Sequence, residues 1–297
     1  MLAARRINTS SASTGATALK ITHLGTGAAE RIPALFCQDE LCTHAREAGG
    51  KDIRTQAQAL VDDTVLLDFG GDSYLHSMRY GLNLARIPVL LVTHWHSDHF
   101  YGEDLAYRLP DYANNIEDAL DVYGTRTVEE FFDRALHLEE AEETPRLRFH
   151  TVSGGDSFSV LDGRFTVHVF EATHGHRNGD CVFYGMDDGD KALLYAHDTG
   201  PFTETSWQQI ADAGVRYDYV SLDCTGEFTH SGMSIHMSLP RNAEVRDRLL
   251  EMGLADDRTI FVANHFSHNC GSTHEQLVEH AAPMGFRVAF DGMSTEL

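Results

Sequence analysis

Apolar residues along the chain come in short runs separated by polar and glycine-containing stretches. "ALKITHLGTGA" reads as a first strand entering a glycine turn, and its GxG lacks the spacing of a dinucleotide fingerprint. "AQALVDDTVLLDFGG" reads as two short strands in a hairpin, with Asp68 at the end of the second. "DSYLHSMRYGLNL" has apolar residues at helical spacing, while "RIPVLLVTH" is the continuous apolar run of a buried strand. "LDVYG" is a further strand. "TRTVEEFFDRALHLEEAEE" is an acidic amphipathic helix opening on a threonine cap. "SFSVLDGRFTVHVFEATHGH" and "CVFYGMDDGDKALLYAHDTG" read as hairpins, the first with an Asp-Gly turn and the second ending at Asp198. "DYVSLDC" and "RTIFVANHFSH" are late buried strands. No repeat or low-complexity linker breaks this series. It predicts one α/β domain over residues 19–297, behind a Ser/Thr/Ala-rich disordered leader over residues 1–18.

The polar residues just past the strands carry the chemistry: Asp68, His94, His174, Asp198, Asp223 and His265. Loops at strand C-termini converge from distant sequence onto one rim, so these positions predict a single site. The densest stretch is "THWHSDHFYG", with His94, His96, Asp98 and His99 directly after an apolar run. Imidazole and carboxylate suit Zn, Mn or Fe. Alternate residues of an extended loop point the same way, so His94 and His96 can share one ion while Asp98 and His99 turn toward a second. His174, Asp198 and His265 complete the set in chain order, with Asp198 as the bridging carboxylate. Such an ion pair orients a substrate and supplies hydroxide near neutral pH.

Composition narrows the partners. The formal net charge is −22 over 297 residues, which argues against long nucleic acid, because phosphate contacts need clustered Lys and Arg. A small anionic substrate at a local cationic centre remains compatible, as does a homodimer. No run approaches a membrane span, and the N-terminus has no apolar signal region. The five cysteines lack a disulfide-framework spacing, which points to a reducing cytoplasm.

"THWHSDHFYG", with "LLDFGGD" before it and "ATHGH", "AHDTG" and "NHFSH" after it, resembles the metallo-β-lactamase superfamily. The resemblance implies an αββα four-layer sandwich with its metal centre at one edge. It implies His94, His96 and His174 on one ion, Asp98, His99 and His265 on the other, and Asp198 between them. Asp68 would anchor the histidine loop from behind. His176 is a rival to His174, which directly follows the strand.

Within the superfamily, "AHDTG" resembles the phosphodiesterase branch, which includes ribonuclease Z, although nothing in this chain is basic enough for an RNA-gripping arm. His96 stands where the flavo-diiron oxidoreductases have a glutamate. "ALFCQDELCTHAREAGGKDIRTQAQAL" resembles the Cys-x-Cys-x-x-Cys segment of the cyclic phosphodiesterases of the bacterial carbon–phosphorus lyase pathway and their uncharacterised relatives. That implies a structural zinc on Cys37, Cys42 and His268, with Asp39 replacing the middle cysteine. Cys181 and Cys224 are expected in the core. His236, in "GMSIHMSLPRN", matches the histidine that protonates the leaving oxygen in that branch. Imidazole suits the task because its pKa lies near working pH. His23, His44, His76, His150, His230 and His274 are expected to be surface or satisfied polar histidines. The expected activity is hydrolysis of a small, cyclic or open, phosphate diester, with Asp98 and His236 as catalytic residues and Zn or Mn as the active-site ions. Three alternatives stay open. They are oxidative chemistry of the pyrroloquinoline quinone B type, hydrolysis of a thioester or lactone on the same fold, and a non-catalytic metal-binding module.

Overall fold

The computed structural model describes residues 18–141, 144–175, 180–229 and 234–297. The expected leader, up to residue 17, lies outside the described residues, as do His176 and His230.

Two sheets of seven strands form the centre. The first is built from β1 (Lys20–Gly25), β2 (Gln58–Val61), β3 (Val65–Leu67), β4 (Val89–Leu91), β5 (Leu120–Gly124), β6 (Leu147–Thr151) and β14 (Met293–Glu296), in the order β14-β1-β2-β3-β4-β5-β6. The second holds β7 (Ser157–Val160), β8 (Phe165–Glu171), β9 (Val182–Asp187), β10 (Ala192–Ala196), β11 (Tyr219–Asp223), β12 (Ile260–Asn264) and β13 (Phe286–Val288), in the order β13-β12-β11-β10-β9-β8-β7. Each sheet has an antiparallel half and a parallel half. β3 through β6 are parallel, and so are β10 through β13.

Three apolar layers hold these sheets. Between them, Val61, Leu67 and Leu91 of the first sheet meet Val167, Tyr184, Leu193 and Val262 of the second. The outer face of the first sheet packs Leu66, Leu90 and Val122 against α3 (Gly102–Ala106) and α4 (Arg126–Leu138). The outer face of the second packs Leu194, Val220 and Phe261 against α1 (Glu40–Ala48), α5 (Glu204–Ala213), α6 (Leu239–Glu251) and α7 (His274–Ala281). The result is the expected αββα sandwich. Buried on both faces, the inner parallel strands β3, β4 and β10 read as unbroken apolar runs, whereas β5, β6 and β13 alternate.

Some boundaries differ from the sequence pattern. The helix expected over "DSYLHSMRYGLNL" is only α2 (Ser73–Tyr80), because Gly81 takes the left-handed conformation that ends a helix. α4 does start behind Thr125, but the Thr125 hydroxyl bonds Asp180 O instead of capping the helix. Its buried stripe is Val128, Phe132, Ala135 and Leu136. No helix among the described residues is long and apolar enough to cross a membrane.

Candidate metal centre

The C-terminal ends of β3, β4, β8, β10, β11 and β12 all open on one edge of the sandwich, where the strand directions place binding sites in α/β sheets. The first functional residue there is Asp68, just past β3. It is fully buried with φ +67. Its Oδ1 accepts from Thr93 N (2.8 Å) and Thr93 Oγ1 (2.9 Å), and its Oδ2 from His99 Nδ1 (2.8 Å). A second tie comes from Phe69, which donates to His99 O and accepts from Tyr101 N. Gly70 is needed for space, since a Cβ there would lie 1.9 Å from Asp98 O. The histidine loop is thus strapped to the end of β3 before any ion is considered.

Outer partners fix the tautomer of four imidazoles. The Thr93 hydroxyl gives its proton to Asp68, so it accepts from His94 Nδ1 (3.1 Å). His99 Nδ1 donates to Asp68, and His174 Nδ1 to Ile235 O (3.0 Å). The Thr225 hydroxyl donates to His265 O and accepts from His265 Nδ1 (2.8 Å). In its neutral form each of these rings presents an unprotonated Nε2 inward.

Those inward nitrogens gather with His96 and the carboxylates. His94 Nε2 lies 2.9 Å from His96 Nδ1, and His174 Nε2 lies 3.2 Å from the same atom. His99 Nε2 lies 3.3 Å from His265 Nε2 and 3.2 Å from Asp98 Oδ2. Asp198 Oδ2 sits between the two groups, 3.3 Å from His174 Nε2, 3.7 Å from His265 Nε2 and 4.0 Å from His99 Nε2. Unprotonated nitrogens and carboxylate oxygens at such range repel unless a proton or a metal cation lies among them. Ligand atoms around a tetrahedral zinc with bonds of about 2.0–2.1 Å are themselves roughly 3.4 Å apart. The donor set therefore suits divalent metal, in two groups with Asp198 Oδ2 lying between them. All seven expected residues come together. His176 cannot be weighed against His174, since it lies outside the described residues.

The local field has the same sense. Burial, then the neighbouring imidazoles, push His94 well below the usual histidine range. Burial opposes a charge on His99 too, but Asp98 and Asp68 outweigh it and hold its pKa well above that range. Burial also pushes the Asp198 carboxyl well up. A carboxylate disfavoured as a bare anion in this way is a site that a cation would stabilise.

Asp223 has a role that its position at a strand end does not reveal. It accepts from Thr225 N (2.9 Å) and Met237 N (3.1 Å) on Oδ1, and from Thr199 N (3.3 Å) and His236 Nδ1 (3.1 Å) on Oδ2. These spend the lone-pair sites of a carboxylate, so Asp223 orients neighbours rather than holding an ion. His236 Nδ1 also lies 2.6 Å from Asp198 Oδ1, off the line of a good hydrogen bond. Burial works against its charge, yet Asp223 and Asp198 draw the His236 pKa up to about 11. With Nδ1 on the carboxylates, Nε2 is left for the cleft. That cleft, of about 520 Å³, lies over His96, Asp98, His174, Asp198, His236 and His265.

The Cys37, Asp39, Cys42 and His268 side chains also gather, with ligand atoms within 4.8 Å of one another. Asp39 Oδ2 faces the Cys37 thiol (3.0 Å) and His268 Nδ1 (3.1 Å), while Oδ1 accepts from Cys42 N (2.7 Å) as the cap of α1. That second duty explains an aspartate at this position. Cys181 and Cys224 are buried in the core as expected. His23 and His76 are buried with both ring nitrogens partnered, by Tyr219 and Asn264 and by Thr55 and Gln58.

Three comparisons bear on this edge. A family model described as a beta-lactamase superfamily domain matches residues 63–265, which span the histidine loop, Asp198 and His265 but not the Cys37 cluster. A ribonuclease Z from Acaryochloris marina is 26% identical over 188 residues, 62% of this chain and 54% of the relative. The chain thus aligns with about half of that relative's length. Two solved structures share the fold. A diphosphatase from the PhnP family aligns at TM-score 0.70 with 20% identity, over 94% of this chain and 98% of that one. Zinc-bound PqqB from Methylobacterium extorquens aligns at TM-score 0.67 with 16% identity, over 94% and 100%.

Proposed function

The chain belongs to the beta-lactamase superfamily and is a metal-dependent hydrolase of that fold, and on that premise we propose that it is a dinuclear phosphodiesterase acting on a small phosphate diester. The observation that carries this reading is the convergence of four tautomer-fixed imidazoles, His96 and two carboxylates on one edge, with Asp198 reaching both groups. His94, His96 and His174 would hold one divalent ion, and Asp98, His99 and His265 the other. Zn and Mn both suit these donors. Two such ions supply hydroxide near neutral pH and offset charge on a phosphoryl group.

The chain's own residues do the rest. Asp68 keeps the histidine loop in register. Asp223 holds the Nδ1 proton of His236, so that its Nε2 proton faces the cleft, where it can pass to a departing oxygen. Thr225 fixes His265 from behind. The net charge of −22 disfavours a polyanionic substrate, which supports a small diester over long nucleic acid. The cluster at Cys37, Asp39, Cys42 and His268 would take a structural zinc, tying α1 to the segment after β12. All five cysteines are free thiols, in keeping with a cytoplasmic setting.

The test is turnover by metal-loaded protein on a panel of bis(4-nitrophenyl) phosphate, ribose 2′,3′-cyclic phosphates, cyclic nucleotides, a thioester and a lactone. Cleavage of diesters alone supports the reading. Preference for the thioester or lactone would move the chain to another branch of the superfamily.

A further inference from the structure

Gly200 sits two residues past Asp198, and its backbone is not in the left-handed region that would by itself call for glycine. What it lacks is room. A Cβ there would lie 2.3 Å from Ser234 O, 2.9 Å from Ser234 C and 3.1 Å from Ile235 Cα, all backbone atoms that cannot swing aside. The segment it touches does two jobs. Ile235 O accepts from His174 Nδ1 (3.0 Å), and His236 rests on Asp223. On its other side, Gly200 N donates to Thr173 O (2.9 Å), next to His174. Thr173 ties the turn twice more, through Thr173 N to Thr199 Oγ1 (3.0 Å) and Thr173 Oγ1 to Pro201 O (2.9 Å). Three stretches of chain therefore meet at this one glycine.

We propose that Gly200 is a positioning residue: the missing side chain lets the 234–237 limb close on the 173–174 segment, so that one backbone junction sets both the His174 ring and the His236 ring. The His236 half rests on the phosphodiesterase reading, and the His174 half does not. A methyl group at residue 200 would push the limb back by about 1 Å, enough at a catalytic centre for roughly a 10²-fold effect. It would also draw Ile235 O away from His174 Nδ1, loosening the ring whose Nε2 would hold an ion.

The experiment compares wild type, Gly200→Ala, Thr173→Val and Gly185→Ala. Thr173→Val loosens the same junction without added bulk. In Gly185→Ala the new Cβ would meet Tyr217 Oη at 2.8 Å, inside the second sheet and away from the metal edge, so it serves as an overpacking control. Zinc affinity is read by competition with a chromogenic chelator. Rates are read on adenosine 2′,3′-cyclic phosphate, with an alkoxide leaving group, and on bis(4-nitrophenyl) phosphate. Gly200→Ala should weaken one of the two active-site zinc ions at least 10-fold and lower the cyclic-to-nitrophenyl rate ratio at least 10-fold. Thr173→Val should move both the same way by a smaller factor, and Gly185→Ala neither. If Gly200→Ala lowers only the melting temperature, as the control does, the proposal is overturned. If it does not fold, unchanged zinc affinity and rate ratio in Thr173→Val overturn it instead. Should wild type cleave neither diester, the phosphodiesterase reading fails, while the zinc arm still decides whether Gly200 positions His174.

Discussion

Replacing Asp68 by Asn tests the metal edge from behind, without touching a proposed ligand. Asp68 is fully buried and accepts three hydrogen bonds, two from Thr93 and one from His99 Nδ1. Asparagine keeps the shape and one acceptor, but puts an NH₂ where Oδ2 was. His99 then has two options. It can keep its Nδ1 proton and face another donor at about the present 2.8 Å spacing, losing a charge-assisted bond worth roughly 1.5–3 kcal/mol. Or it can move the proton to Nε2, which removes the lone pair facing Asp98 and His265. Flipping the amide only transfers the conflict to Thr93 N. Either route falls on the ion at Asp98, His99 and His265. Loss of such a supporting partner typically weakens a metal by about 10–100-fold, or about 1.4–2.7 kcal/mol. The assay is zinc competition with a chelator, alongside thermal melts with and without metal. One ion should weaken by that factor and the other much less. Unchanged affinity for both ions in folded Asp68→Asn would refute the reasoning that Asp68 sets the His99 tautomer.

Other outcomes follow from the same geometry. His236→Ala should keep both ions and lose about 10²–10⁴-fold on a ribose or alkyl diester, but far less on bis(4-nitrophenyl) phosphate; equal losses on both would make His236 a binding residue. Asp39→Cys should tighten zinc at the second cluster, thiolate being the softer ligand, while the metal-free protein loses about 1 kcal/mol with the α1 cap. Cys42→Ala should lower the melting temperature and leave the surviving activity intact, and equal zinc retention in all three proteins would show that no such site exists. Glu227 is buried, and burial raises its pKa from 4.5 to about 7 against the opposing pull of Ser272 and Arg54. Its folded form holds the proton more tightly, so this contribution is fully present below about pH 4.5 and is lost as pH rises through 7. Wild type should thus lose up to ~3 kcal/mol relative to Glu227→Gln between pH 4.5 and 7.5, and parallel stability curves for the two proteins would contradict it.

The apolar runs carry the strands, and the polar residues just beyond them carry the metal edge, because a strand's C-terminal end is where its chemistry can be exposed. His94, His96, Asp98 and His99 are legible for that reason, and Asp198 and His265 follow from the same rule. What hydrophobic runs do not reveal is who holds whom. Asp223 looks like any strand-end aspartate until its four donors arrive from three separate segments. Asp39 reads as a cysteine replacement, yet its backbone position also makes it the cap of α1. Gly200 matters through a contact with a segment more than thirty residues away, which no local pattern contains. Among the outer helices α4 is legible from its amphipathic spacing, whereas those over the second sheet are less clearly marked. α7 is better announced by its capping box, with Thr273 and Gln276 bonded reciprocally, than by its apolar residues.

The central claim is that this edge binds two ions through Asp198 and that both are needed to cleave a phosphate diester. Metal-free wild type and Asp198→Ala should each be titrated with zinc or manganese, with bound ions and diester turnover measured in the same samples. Wild type should take up two ions at the histidine edge, with turnover appearing as the second binds, and Asp198→Ala should hold at least one fewer and be nearly inactive. Full turnover with a single ion, or unchanged metal content in Asp198→Ala, would contradict the account.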